Sequence, residues 1–211
     1  MNRLSMDISI AHRRRWANRP VSVASCSWLL VVSPSLRFLL IYRFAQWLSS
    51  ERDGNGIRKW IRFVILIPLG ILKFATKINT KSYISNDSDI EGGVSFSDQG
   101  HIIFGPKKTG SGTVIGERVT VGMSHIDLGC PEIGRNVWIG SNCVIHGAIT
   151  IGDGATLLPD TVLSKSIPSG VVMQGNPARL VLRNFDNTEL LKQQDIDAVL
   201  YVNTKREKLN V

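Results

Sequence analysis

Four histidines and a few aspartates are the side chains of this 211-residue chain best suited to moving a proton near neutral pH. His12 sits in an arginine-rich start, His12-Arg-Arg-Arg-Trp, and is set aside. His146 follows the aliphatic Ile145 at a position that glycine takes elsewhere in the chain, so it points to an outer corner. His101 ends the segment Phe96-Ser-Asp-Gln-Gly-His. His125 stands where neighbouring stretches carry a small residue, just ahead of an irregular run over 126–131. An imidazole at His125, or else at His101, is the natural base for a hydroxyl proton. Asp98 or Asp127 would orient the ring, as an acid does in a catalytic dyad. Cys26, Cys130 and Cys143 are odd in number and show no C-x-x-C spacing, so neither a disulfide framework nor a metal site is expected. The phosphate-cradling, dinucleotide-binding and H-E-x-x-H motifs are missing too.

The element that must position these groups has a period of six. Ile115, Val121, Asp127, Ile133, Ile139, Ile145, Ile151, Leu157 and Leu163 fall in one frame, and all but Asp127 are aliphatic. Glycine often follows, as at Gly116, Gly122, Gly134, Gly140 and Gly152. Six is neither the helical nor the simple strand period, so the pattern reads as a solenoid. Each hexad gives one short strand and one turn. The aliphatic points inward and stacks on the next coil about 4.8 Å away. Three hexads close a triangular coil, and parallel coils supply one another's core.

Ile84, Ile90, Phe96 and Ile102 continue the frame upstream. Thirteen residues separate Ile102 from Ile115, and the extra one is expected as a loop within Gly105–Gly112. A second outward bulge is expected over His125–Pro131, where Asp127 interrupts the aliphatic frame. Breaks in a regular scaffold are where sites tend to be built.

The rest of the chain divides by charge. Residues 1–82 hold 14 Lys and Arg against 3 Asp and Glu, whereas residues 83–211 hold 11 against 14. Residues 1–32 read as a mobile basic arm with an apolar lead-in, Val21–Val32, which imitates a signal peptide without a clean cleavage site. Residues 33–78 read as two helices. The first starts at Ser33-Pro34-Ser35 and runs to Ser50, with Arg43, Gln46 and Ser50 on one face. The second, Ile57–Ile78, aligns Arg58, Lys59, Arg62, Lys73 and Lys77 and contains Pro68. A cationic stripe on an apolar helix suits a membrane surface, and its apolar run is too short to span a bilayer. Packing against the solenoid is the other reading. No nucleic-acid partner is expected. Residues 79–183 form the solenoid of about five coils, and 184–211 a tail with weak helical patterns over Thr188–Gln194 and Asp195–Tyr201.

Three stretches carry a resemblance: Ile133-Gly-Arg-Asn-Val-Trp-Ile-Gly-Ser-Asn-Cys-Val-Ile, Ile151-Gly-Asp-Gly-Ala-Thr, and Gln174-Gly-Asn-Pro-Ala-Arg. Together they resemble the hexapeptide-repeat acyltransferases, in particular serine O-acetyltransferases and their relatives in surface-polysaccharide synthesis. The resemblance implies a left-handed parallel β-helix, a mainly β fold that here follows a two-helix region. It implies acetyl-CoA as co-substrate, a cytoplasmic setting and a homotrimer with sites between subunits. Gly175, Asn176, Pro177, Ala178 and Arg179 match the family segment that closes one side of the CoA slot, and Gly140, Ser141 and Gly147 would flank its thin arm. Flat faces carrying Trp138 and Val144 are expected to be covered by neighbouring subunits. The serine enzymes also carry an Asp-His pair, whose first position falls near Asp98, and a loop ending His-Pro, where this chain has Cys130-Pro131. The implied activity is O-acetyl transfer to a sugar hydroxyl. Serine acetylation and a non-catalytic trimeric scaffold are the alternatives.

Overall fold

The computed structural model describes residues 3–15, 22, 25, 28–29, 32–50, 81–124, 128–192 and 201–204. The expected helix over Ile57–Ile78, most of Val21–Val32, and the candidate residues His125 and Asp127 lie outside them.

From Tyr83 the chain winds into five coils. The first holds β1 (Tyr83–Ile84), β2 (Asp89–Ile90) and β3 (Ser95–Phe96), and the second β4 (Ile103–Phe104), β5 (Lys108–Thr109) and β6 (Val114–Ile115). The third holds β7 (Thr120–Gly122), β8 (Glu132–Ile133) and β9 (Trp138–Ile139), and the fourth β10 (Val144–His146), β11 (Thr150–Ile151) and β12 (Thr156–Leu157). The fifth holds β13 (Val162–Leu163), a single bridge at Ile167, and β14 (Val172–Gln174). An antiparallel strand, β15 (Arg179–Leu182), then doubles back on β14. Strands of equal rank stack in parallel and make three faces. The first is β1-β4-β7-β10-β13, the second β2-β5-β8-β11, and the third β3-β6-β9-β12-β14-β15.

Why hexads give this shape is visible in the registers. Ile133 stands over Ile151, Ile139 over Leu157 and Ile145 over Leu163. Each is almost fully buried. Burying such a side chain is worth about 1.5–3 kcal/mol, and one coil alone gains little of it.

The upstream frame differs from expectation. Phe104, not Ile102, pairs with Ile84 below and Val121 above. The surplus therefore lies between Phe96 and Phe104. The stretch Gly105–Gly112 is not a pushed-out loop, because it contains β5, with Thr109 fully buried in the frame. Sequence spacing gave the surplus but not its place, because Ile102 is equally buried.

Two helices close the first coil. They are α1 (Arg3–Arg15) and α2 (Pro34–Ser50). The expected mobile arm is thus in part a packed helix. Arg43 does not face water as its sequence face suggests. It is buried, with its Nε donating to Asp7 at 3.1 Å and its other nitrogens donating to the carbonyls of Ile90 and Glu91. Asp7 Oδ1 accepts the Gly93 amide at 2.6 Å. Tyr42 and Gln46 donate to the Ser88 carbonyl. These side chains replace the strand that the open end of the solenoid lacks. No helix among the described residues is long and apolar enough to cross a membrane.

At the other end the tail folds back. It includes α3 (Thr188–Lys192), and Leu158, Val172, Phe185, Leu190 and Val202 form a second apolar cluster against which Trp138 packs. Trp138 is therefore half-covered by its own chain. The three faces end up unlike one another. The third is covered by the chain itself. The second shows a polar outward row, Asp89, Lys108, Glu132 and Thr150. The first shows Tyr83, Ile103, Thr120, Val144 and Val162. Tyr83 and Ile103 are 47% and 53% exposed.

Candidate active site

The first face has two long edges, and the candidate residues divide between them. One edge joins the first and second faces. There β7 ends at Gly122 and β8 begins at Glu132, so twelve residues span the step from Val121 to Ile133 that six cover elsewhere. The described residues on either side of 125–127 are exposed, Met123 at 62% and Leu128 at 83%. The segment departs where Gly122 stands in register with His146. It returns with Gly129 so near the next coil that a Cβ there would lie 2.3 Å from the Ala148 Cβ. The Lys107 amide donates to the Pro131 carbonyl at 2.8 Å, which fixes the return from below. Gly147 belongs to this edge, its amide donating to the Gly122 carbonyl at 3.2 Å.

The opposite edge joins the third and first faces and is regular from β6 onward, the longer step from Phe96 to Phe104 lying at its first corner. His101, Arg118, Asn142 and Asp160 occupy its successive corners with φ of 59, 53, 59 and 61°. Such values are uncommon outside glycine and suit short polar side chains best. Arg118 Nε donates to Asn142 Oδ1 at 2.6 Å, and Asn142 Nδ2 donates to Asp160 Oδ1 at 2.9 Å. Sequence reasoning missed this polar ladder. Its signal was a polar residue two positions before each strand of this face.

Gly140 and Ser141 lie on the same edge, beside Asn142. A Cβ at Gly140 would meet the Pro159 nitrogen at 2.7 Å, so glycine is what lets these coils approach. Ser141 accepts the Asp160 amide at 3.0 Å. Beyond it the Gly175 carbonyl accepts from the Val162 amide, and the Ala178 amide donates to the Val162 carbonyl, each at 3.0 Å. Gly175 has φ of 95° and the Asn176–Pro177 peptide is cis. Arg179 is exposed and opens β15. Gly140, Ser141, Gly175, Asn176, Pro177, Ala178 and Arg179 thus form one continuous line. Gly147 does not belong to it, since the length of β10 separates it from Ser141.

Asp98 and His101 also stand toward this edge, and no hydrogen bond joins them. Asp98 Oδ1 accepts from Ser33 Oγ at 2.7 Å, Ser35 Oγ at 2.7 Å and the Ser35 amide at 3.1 Å. It therefore anchors the start of α2, where a carboxylate also suits the helix dipole. This gives Asp98 a fold role through Oδ1. His101 is exposed. His12 is buried and bonded to Ser25 Oγ at 3.0 Å.

Cys143 is buried in the core, and burial pushes its thiol up to about 12, which keeps it protonated and inert. Among the described residues no group of His, Cys, Asp or Glu is placed to hold a metal ion.

Comparison with known proteins agrees with this geometry. Residues 131–165 match the bacterial transferase hexapeptide (six repeats) family. The chain is 33% identical over 66 residues to a chloramphenicol acetyltransferase of Agrobacterium fabrum, covering 31% of this chain and 32% of that protein. It is 45% identical over 49 residues to the galactoside O-acetyltransferase of Escherichia coli, covering 23% and 24%. The chain thus spans from about a quarter to a third of the length of these curated relatives. Serine acetyltransferase from Brucella abortus superposes with a TM-score of 0.64 at 19% identity, over 85% of this chain and 69% of that one. A structure of that enzyme in complex with coenzyme A gives 0.60 at 19%, over 85% and 68%. Repeat, coil and neighbours together show the fold, a left-handed parallel β-helix built of hexapeptide repeats.

Proposed function

We propose that the chain is an acetyl-CoA-dependent O-acetyltransferase that works as a homotrimer on a sugar hydroxyl in surface-polysaccharide synthesis. The observation that carries this is the division of the candidate residues between two edges of one uncovered, largely apolar face. Within one chain the two edges flank that face and turn away from each other. A second copy packed against the first face sets its irregular edge against the regular edge of the first copy. Repeating the contact around a threefold axis closes a ring with three equivalent clefts.

In each cleft the regular edge receives the donor. Gly140, Ser141 and Gly175–Ala178 offer peptide groups to a long thin arm, and Arg179 meets a phosphate. Acetyl-CoA supplies an activated thioester. His125, from the irregular edge, takes the acceptor proton, the freed oxygen attacks the thioester carbonyl, and the imidazolium returns its proton to the leaving sulfur. Asp127 or Asp98 orients the ring; the hydrogen bonds of Asp98 Oδ1 at the start of α2 favour Asp127. Both substrates bind together, so no covalent enzyme intermediate is needed.

The galactoside O-acetyltransferase likeness favours a sugar acceptor. Serine is the second reading, supported by the shared fold, and Cys130-Pro131 in place of His-Pro counts against it. The acetyl-CoA requirement favours the cytoplasm, and the basic first part of the chain favours contact with the inner face of the membrane. Release of CoA thiol is measured with methyl galactoside and with serine as acceptor, alongside sedimentation. Sugar-dependent release from a trimer is expected. Serine-dependent release alone overturns the sugar assignment, and an assembled trimer with no release at all leaves a scaffold.

A further inference from the structure

Gly122 differs from most other glycines of the repeat. A Cβ added at Gly110, Gly116, Gly129, Gly134, Gly140 or Gly152 would come within 3.0 Å of the neighbouring coil. Those glycines exist because the coils touch. At Gly122 an added Cβ meets no described residue within 4 Å, and its backbone is not left-handed. Neither the packing of the described residues nor the backbone conformation demands glycine there. What its small size provides is empty space.

The wall of that space is His146. It is the register partner of Gly122 on the next strand, half-buried, on the first face. Its ring nitrogens bond to no described residue. The position before it, Ile145, is fully buried, so the imidazole is held on a rigid strand. Gly147 and Ala148 continue the wall, and the amide of Gly147 is tied to the Gly122 carbonyl. A neutral imidazole presents one donor and one acceptor. Paired with an empty place one side chain wide, it suits a hydroxyl, which can give and take a hydrogen bond at once.

We propose that the notch between Gly122 and His146 seats a second hydroxyl of the acceptor, next to the one that is acetylated. His146 is then an acceptor-binding residue, and the preferred acceptor is a polyol rather than a lone alcohol. The inference rests on the transferase reading above and adds to it the part of the acceptor that is recognised.

The test uses the full-length protein, acetyl-CoA, methyl galactoside, and its analogues that lack one hydroxyl. Three variants are compared: His146→Ala, His146→Gln and Gly122→Val. The last fills the notch where the space allows a side chain, so the fold and assembly survive. Both His146→Ala and Gly122→Val are expected to raise the galactoside KM about tenfold or more, with the acetyl-CoA KM and acceptor-free hydrolysis of acetyl-CoA unchanged. His146→Gln, which keeps a donor and an acceptor, restores part of the loss. One deoxy analogue should lose its disadvantage in the His146→Ala background. Unchanged galactoside KM in both His146→Ala and Gly122→Val overturns the notch while leaving the transferase reading intact. A wild type that neither transfers nor hydrolyses overturns the transferase reading, and the notch falls with it.

Discussion

The two edges of the first face are built on opposite rules. The regular edge repeats one corner four times, with polar side chains at φ of 53–61° handing hydrogen bonds from coil to coil. The irregular edge has one corner of double length, an open glycine and a strand histidine that bonds to no described neighbour. A cofactor of fixed shape suits the first kind of edge, whose corner repeats unchanged from β6 to β13. An acceptor that differs between proteins suits the second, where one insertion changes the cleft without disturbing the stack.

That contrast can be broken from the irregular side first. Removing a general base costs about 10²–10⁴-fold in rate, so His125→Ala should lower turnover by that order while acetyl-CoA binding and assembly remain. Steady-state kinetics with equilibrium binding checks it, and unchanged turnover removes His125 from the mechanism.

The division between subunits gives the next largest effect. His125→Ala damages one edge, and Ser141→Trp obstructs the other. Each homotrimer should be inactive. When the two are unfolded and reassembled together in equal amounts, about a quarter of the clefts combine two intact edges, so about a quarter of wild-type activity should return. A mixture that stays inactive means that both edges act within one chain.

The smallest effect sharpens the assignment of the regular edge. Asp98→Ala removes the acceptor that holds the start of α2 and should cost about 1 kcal/mol of stability, as loss of a helix cap does. Denaturant midpoints would show it, with turnover per folded trimer unchanged. His101→Ala should alter turnover much less than His125→Ala does. A large loss on His101→Ala returns the base to the regular edge.

The solenoid was legible because its signal is periodic. An aliphatic every six residues survives inspection without any partner in view, and Ile133, Ile139, Ile145, Ile151 and Leu157 all stack as the spacing requires. What stayed hidden depends on meetings between distant segments. Arg43 looks like a solvent-facing charge until Asp7 and the carbonyls of Ile90 and Glu91 are placed around it. Asp98 looks like half of a dyad until Ser33 and Ser35, more than 60 residues earlier, claim its oxygen. Ile102 and Phe104 are both buried, so hydrophobicity cannot say which belongs to the frame. The Gly175–Arg179 turn is readable from its motif, whereas the separation of Gly147 from it is not, because adjacency in sequence hides the length of a strand.

The polar clasp over the first coil also bears on how the protein is made. Asp7 meets the Gly93 amide 86 residues later, and Arg43 meets the Ile90 carbonyl 47 residues later. At a synthesis rate of about 5–20 residues per second, α1 emerges several seconds before the coil that seats it exists. In that interval it has no docking surface, and the arginines around it keep it hydrated and self-repelling. The first coil then forms directly beneath helices that are already waiting, and each later coil is laid on a finished one.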